Sequence, residues 1–195
     1  YQDKNGNLRA TLSASVSTPV FRPLQIEPPI EIEPPNIVIN EIYSNGTNEW
    51  VEIANPTPDT VDIGGVRIYV GSRLVYVFPS GTILGPFRSG KEYLTVSLFN
   101  VLPDSGGTVT LRFRVWRWWG IIDRTTYPRL GSGESWARFK APDTGVPVDK
   151  NNDANDFYIS QSPTPGAYND RTRPVMTLSK VADKSQAQPG ELIIY

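Results

Sequence analysis

Apolar and polar residues alternate along much of this chain with a period of two, the pattern of strands that bury one face and wet the other. In residues 8–16, LRATLSASV, the alternation is unbroken: Leu8, Ala10, Leu12, Ala14 and Val16 share one face, and Arg9, Thr11, Ser13 and Ser15 the other. Residues 37–43 and 50–54 are rich in β-branched and aromatic side chains and flank Ser44-Asn45-Gly46-Thr47-Asn48, which predicts an antiparallel hairpin. A third strand, residues 66–70, follows a proline-rich corner and Gly64-Gly65, where glycine lets the backbone turn without a Cβ penalty. Further strands are predicted over 73–79, 91–98, 109–115 and 121–127. In 109–115 the pattern turns Val109, Leu111, Phe113 and Val115 inward and Thr110, Arg112, Arg114 and Trp116 outward. No stretch holds the 3.6-residue period of an amphipathic helix, so the expected fold is all-β, an antiparallel β-sandwich.

The strand at 8–16 cannot stand alone, because it would leave its amides unpaired and its apolar stripe bare. Beyond it, residues 22–36 read RPLQIEPPIEIEPPN, and their paired prolines predict a semi-rigid polyproline II arm reaching roughly 40 Å. Such an arm holds the strand away from the sandwich, so that it is donated to a neighbouring molecule. Alternatively the arm folds back and the strand caps its own domain, or ends a preceding one. The expected organisation is an N-terminal donor strand (1–22), a proline-rich linker (23–36), a sandwich (37–170) and a C-terminal strand pair (171–195).

Several spaced motifs point to a family. Ile39-Asn40-Glu41, EWVEI at 49–53, Asn55-Pro56, VDIGG at 61–65 and FPSGT at 78–82 follow one another in an order that resembles the lamin-tail domain. That domain is an immunoglobulin-like sandwich also found in secreted and surface proteins of prokaryotes. The resemblance covers residues 37–169 and implies a fold but no chemistry. Within it, VDKNNDANDFY at 148–158 resembles the Asp/Asn-rich segment preceding a DF pair, followed by Thr164-Pro165-Gly166 and Asn169. Residues 173–195 resemble the first two strands of another immunoglobulin-like repeat of surface proteins, with the chain stopping as the second begins.

The 19 Lys and Arg nearly balance the 20 Asp and Glu, so any attraction to a charged partner must be local. It is local between residues 111 and 140, where Arg112, Arg114, Arg117, Arg124, Arg129, Arg138 and Lys140 face only Asp123 and Glu134. The same stretch carries Trp116, Arg117, Trp118 and Trp119 at a hairpin tip where the resembled family usually has a polar turn. A sandwich core reaches one or two of these tryptophans, and the rest mark a binding surface. One partner is the chain's own acidic arm, with Glu27, Glu31 and Glu33 set among prolines; the others are nucleic acid or polysaccharide. An intramolecular tryptophan cluster roofed by arginine stems is the third account.

Asp149, Asn151, Asp153 and Asn155 fall at every second position and offer oxygen ligands of the kind Ca²⁺ prefers, although Ala154 and Ser160 break the EF-hand pattern. A turn-forming loop explains the same residues. Asn45-Gly46-Thr47 fits an N-glycosylation site in a hairpin loop. With neither His nor Cys there is no Ser-His-Asp triad, thiol nucleophile or common zinc site. Glu49 and Glu52 are three apart on one strand, hence on opposite faces, and read as structural glutamates rather than an acid–base pair. No apolar run approaches the ~18 residues of a membrane span. A start at Tyr1 without a signal peptide suggests a mature or trimmed chain.

The expectation is therefore a non-enzymatic structural subunit of an extracellular filament or cell-surface assembly, a homopolymer joined by strand complementation and without cofactors beyond structural calcium. The alternative is a binding module that uses the Arg/Trp face on polysaccharide or nucleic acid.

Overall fold

The computed structural model describes Gln2 and residues 4–6, 33–115, 117–172 and 174. The chain divides into two units, Tyr1–Glu31 and Ile32–Tyr195. The proposed donor strand at 8–16, Glu27, Glu31, Trp116 and the C-terminal segment from 175 lie outside the described residues.

Among the described residues the second unit holds eleven strands: β1 (Val38–Tyr43), β2 (Glu49–Ala54), β3 (Val61–Asp62), β4 (Arg67–Val70), β5 (Arg73–Val77), β6 (Ile83–Leu84), β7 (Tyr93–Leu98), β8 (Gly106–Val115), β9 (Trp118–Pro128), β10 (Ser135–Arg138) and β11 (Phe157–Ser160). They form a five-stranded sheet in the order β11-β10-β1-β2-β7, a four-stranded sheet in the order β5-β4-β8-β9, and a two-stranded ribbon of β3 and β6, antiparallel throughout. This is the immunoglobulin-like sandwich that the patterning and the resemblance imply. Gly65 does what the Gly64-Gly65 pair predicts, turning the chain into β4 at φ +83°.

The dry faces meet in one core. Ile39, Ile42, Val51, Ile53 and Val96 project from the five-stranded sheet, Ile68, Val70, Val109, Leu111 and Tyr127 from the four-stranded one, and Ile63, Val66, Phe78 and Leu84 close one end. Each fully buried side chain of this kind contributes about 1.5–3 kcal/mol relative to exposure.

Two β-bulges decide which residues face that core. In β1 the register passes from Ile39↔Ile53 to Glu41↔Glu52, leaving Asn40 as the extra residue. Ile39 and Ile42, three apart, therefore both point inward, which strict alternation forbids. In β9 the pairing passes from Arg112↔Ile121 to Leu111↔Asp123, so Ile122 is extra and Asp123 turns into the sandwich. The last strand of the long hairpin begins at Trp118, three residues before the predicted start at 121, because the β8–β9 ladder continues to Val115↔Trp118.

The basic stretch 111–140 does not reach the surface whole. Arg138 is 1% exposed and Asp123 5%, and the two form a 2.6 Å ion pair between the sheets. Arg138 also donates from Nε to the Ile39 carbonyl at 2.7 Å and from Nη1 to the Val148 carbonyl at 2.8 Å, with its guanidinium stacked 4.3 Å over the Phe157 ring. Asp123 accepts the Ile39 N–H at 2.7 Å. This buried cross-link ties β1, β9 and β10 together and takes one cation and one anion out of the surface field.

Candidate functional site

The outer face of the four-stranded sheet carries the strongest surface chemistry. With Ile68, Val70, Val109 and Leu111 turned inward, alternation sends Arg67 and Tyr69 of β4 and Thr108, Thr110, Arg112 and Arg114 of β8 outward. Cross-strand partners share a face, which adds Trp119 opposite Arg114, Ile121 opposite Arg112 and Arg124 opposite Thr110. Val77, opposite Arg67, and Leu74, opposite Tyr69, complete the row on β5. The Arg67 guanidinium lies 4.1 Å from the centre of the Trp119 ring, and that of Arg112 lies 4.9 Å from that of Tyr69. Thr110, which alternation also points away from the core, is only 3% exposed on this face.

Of the residues predicted for this surface, the fold brings Arg112, Arg114 and Trp119 together. Trp118 pairs with Val115 and lies on the opposite side of the ribbon; the hairpin overhangs the sandwich there, leaving the ring 75% exposed. Arg117 is exposed at the turn, and Glu33 is exposed before β1. Arg67 and Tyr69 were missed because they stand more than 40 positions before Arg112. The alternation of Arg67-Ile68-Tyr69-Val70 was the signal that could have found them.

A second constellation lies on the outer face of the five-stranded sheet, where residues 161–170 cross β10, β1 and β2. Glu41 and Glu52, direct cross-strand partners, are both fully buried beneath this strap. Glu41 accepts from Ser135 Oγ at 2.5 Å, from Thr164 N at 3.1 Å and from Thr164 Oγ1 at 3.0 Å. Glu52 accepts from Asn40 Nδ2 at 2.8 Å, from Thr95 Oγ1 at 2.9 Å and from the Gly166 N–H. Asn169 donates to the Asn40 carbonyl at 3.1 Å and the Arg138 carbonyl at 2.8 Å, and its own carbonyl accepts from Thr164 Oγ1 at 3.0 Å. Burial pushes the Glu52 carboxyl up to about 7 and raises Glu41 as well, with the hydrogen bonds opposing the rise. Glu49, on the other face of β2, accepts the N–H groups of Val101 at 2.7 Å and Leu102 at 3.1 Å. The motif residues Asn40, Glu41, Glu52, Thr164, Gly166 and Asn169 thus form one clasp, whose carboxylates are engaged by the chain itself and turned away from solvent. It can hold a strap and store a proton.

The Asp/Asn loop is built differently from its sequence spacing. Asp149 Oδ1 lies 3.3 Å from Arg138 Nη1 and accepts from Asn151 N at 3.1 Å, while Asp153 Oδ2 accepts the Thr126 N–H at 2.8 Å. A one-turn helix, α1 (Asp153–Asp156), places Asp153 and Asn155 two apart on a helix, where side chains do not face each other. The residue that organises the loop is Asp156, 1% exposed, whose Oδ2 accepts from Lys150 N at 2.7 Å and Asn152 N at 3.0 Å. Its place just before Phe157, in the DF pair, was the available signal. Among the described residues, no three His, Cys, Asp or Glu side chains gather where they could hold a metal ion. Asn45 sits half-buried in the β1–β2 loop, one residue before Gly46 at φ +70°. No helix among the described residues is long and apolar enough to cross a membrane.

Residues 32–112 match the family model described as Lamin Tail Domain. Neither the comparison with curated proteins nor that with solved structures gives a match.

Proposed function

Residues 32–112 belong to the lamin tail domain family, and from that premise we propose that the chain is a non-enzymatic structural subunit of an extracellular filament or cell-surface assembly, polymerising when residues 8–16 of one molecule complete a sheet of the next. The observation that supports this reading is the set of sheet edges that have no strand partner among the described residues. The edge strands β5, β7 and β11 have 5, 6 and 4 residues, whereas β9 has 11 and is the longest edge on which the alternating residues 8–16 can pair. Asp153 covers the Thr126 N–H, Asp123 the Arg124 N–H, and Pro128 has none to offer, which leaves the reach from Trp118 to Ile122 for pairing with part of the donor strand. Beside it lies a groove of about 240 Å³ lined by Pro34, Pro35, Ile37, Ile121 and Ile122 with Asn36 and Asp149 at its polar side, a partly apolar seat for side chains such as Leu8 and Leu12. Backbone pairing along such an edge supplies affinity, and the apolar stripe supplies register.

The test compares the full chain with a version lacking residues 1–22, by size analysis and by imaging of the purified material. Polymers that vanish with the truncation support the proposal. Polymers that persist, or a full chain that stays monomeric at high concentration, overturn it.

A second reading, a module binding polysaccharide or nucleic acid, is favoured by the exposed Trp118 at the tip of the hairpin whose other side carries the arginines. Salt-sensitive binding of oligonucleotides or anionic glycans that disappears in Trp118→Ala is its expected signature.

A further inference from the structure

On the outer face of β5-β4-β8-β9, Arg67 and Arg112 stand directly opposite each other across an antiparallel ladder, an arrangement that like charges disfavour. Their guanidinium groups part onto two different rings, Trp119 and Tyr69, and Arg124 adds a third cation one strand further on. None of the outward positions on these strands is acidic. The Nε–H groups of Arg67 and Arg112 are buried and meet no acceptor among the described residues, although buried donors are normally paired. An apolar rim borders the cations on both sides, with Leu74 40% and Val77 43% exposed on β5 and Ile121 53% exposed on β9. Because each ring already carries a guanidinium on its face, the surface offers positive charge between apolar borders rather than bare rings for stacking.

Building on the assembly proposed above, we infer that this face binds the acidic proline arm of a second copy, residues 24–33, with its carboxylates on the arginines and its isoleucines on the rim. The arm has the matching composition: Leu24, Ile26, Ile30 and Ile32 are interleaved with Glu27, Glu31 and Glu33. It also has a matching spacing. In the polyproline II conformation that paired prolines favour, at ~3.1 Å per residue, Glu27 and Glu31 would stand ~12 Å apart. On the sheet, Arg124 lies two strands from Arg67 and two residues along, also ~12 Å at ordinary strand spacings. A polyproline II segment is stiff before it binds, so little conformational entropy is lost on docking. Seated here, the arm would fix the direction in which residues 8–16 leave for the acceptor edge.

The test is fluorescence anisotropy of a labelled synthetic peptide of residues 22–36, titrated with the full chain at low salt. Binding is expected, weakening as salt rises. Each carboxylate–guanidinium pair at a solvated surface is worth up to about fivefold in affinity, so a peptide with all three glutamates changed to glutamine should bind roughly tenfold or more weakly. Arg67→Gln/Arg112→Gln in the protein should produce a loss of similar size. The peptide variant keeps the test decisive if the protein variant fails to fold. Equal binding of the glutamine peptide, or displacement of the acidic peptide by a polyuronate or an oligonucleotide at lower charge concentration, overturns the arm as the occupant. Failure of the peptide to bind, in a chain whose polymers vanish without residues 1–22, removes the arm contact and leaves the assembly proposal standing. Arginine-dependent binding in a chain that never polymerises does the reverse.

Discussion

Replacing Arg138 by methionine keeps much of the side chain's apolar stem beside Phe157 but removes the buried cation that faces Asp123. What remains is a carboxylate held by the Ile39 and Arg124 N–H groups, together with the Ile39 and Val148 carbonyls stripped of their guanidinium donors. Breaking a buried pair in this way leaves an uncompensated charge and costs about 3–5 kcal/mol. For a unit of this size that corresponds to a fall in Tm of about 10–15 °C. Equilibrium denaturation followed by circular dichroism measures the loss. The pH dependence of the loss identifies its cause. With its counter-charge gone, Asp123 inside the fold binds a proton more tightly than in the unfolded chain. The variant's deficit should therefore be largest near pH 8 and shrink as pH falls through the raised folded value. Asp123→Asn, which removes the charge but keeps an acceptor for Ile39 N–H, should relieve part of the damage when combined with Arg138→Met, giving a coupling energy of about 2 kcal/mol or more. A deficit below about 1 kcal/mol, or one of equal size at pH 4.5 and pH 8, refutes the view of this pair as an inter-sheet cross-link.

Two further outcomes follow from the clasp. Glu52 titrates near 7 in the fold against an ordinary value of 4.5, so its contribution to stability is fully present below about pH 4.5. That contribution is lost as pH rises through 7, worth about 3 kcal/mol; a denaturation midpoint that rises with pH over this window would count against it. Asn169→Ala removes two donations and one acceptance that seat the strap. It should cost about 2–3 kcal/mol and speed amide exchange in residues 161–170 far more than in β8, and protection unchanged in the strap would contradict the assignment.

The strands β1, β2, β4, β5, β7, β8 and most of β9, and the inward face of β8, could be read from the sequence, because period-two alternation is a local property; β3, β6, β10 and β11, two to four residues each, show too little of it and were missed. The structural role of Glu49 and Glu52 could be read for the same reason, since positions three apart on a regular strand cannot share a face. What covers a wet face is not local. Glu41 is held by Thr164, 123 residues away, and Asp123 by a backbone amide 84 residues away, so neither could be seen as buried from its neighbours in the chain. The bulges at Asn40 and Ile122 shifted the phase of two strands, and with it the side on which Asp123 lies. The tryptophans and arginines announced a surface, but sheet order alone decided that Arg67 and Tyr69 join it and that Arg138 leaves it. Alternation fixes that a strand has two sides; only the packing of distant segments sets which charges are buried against each other and which remain for a partner.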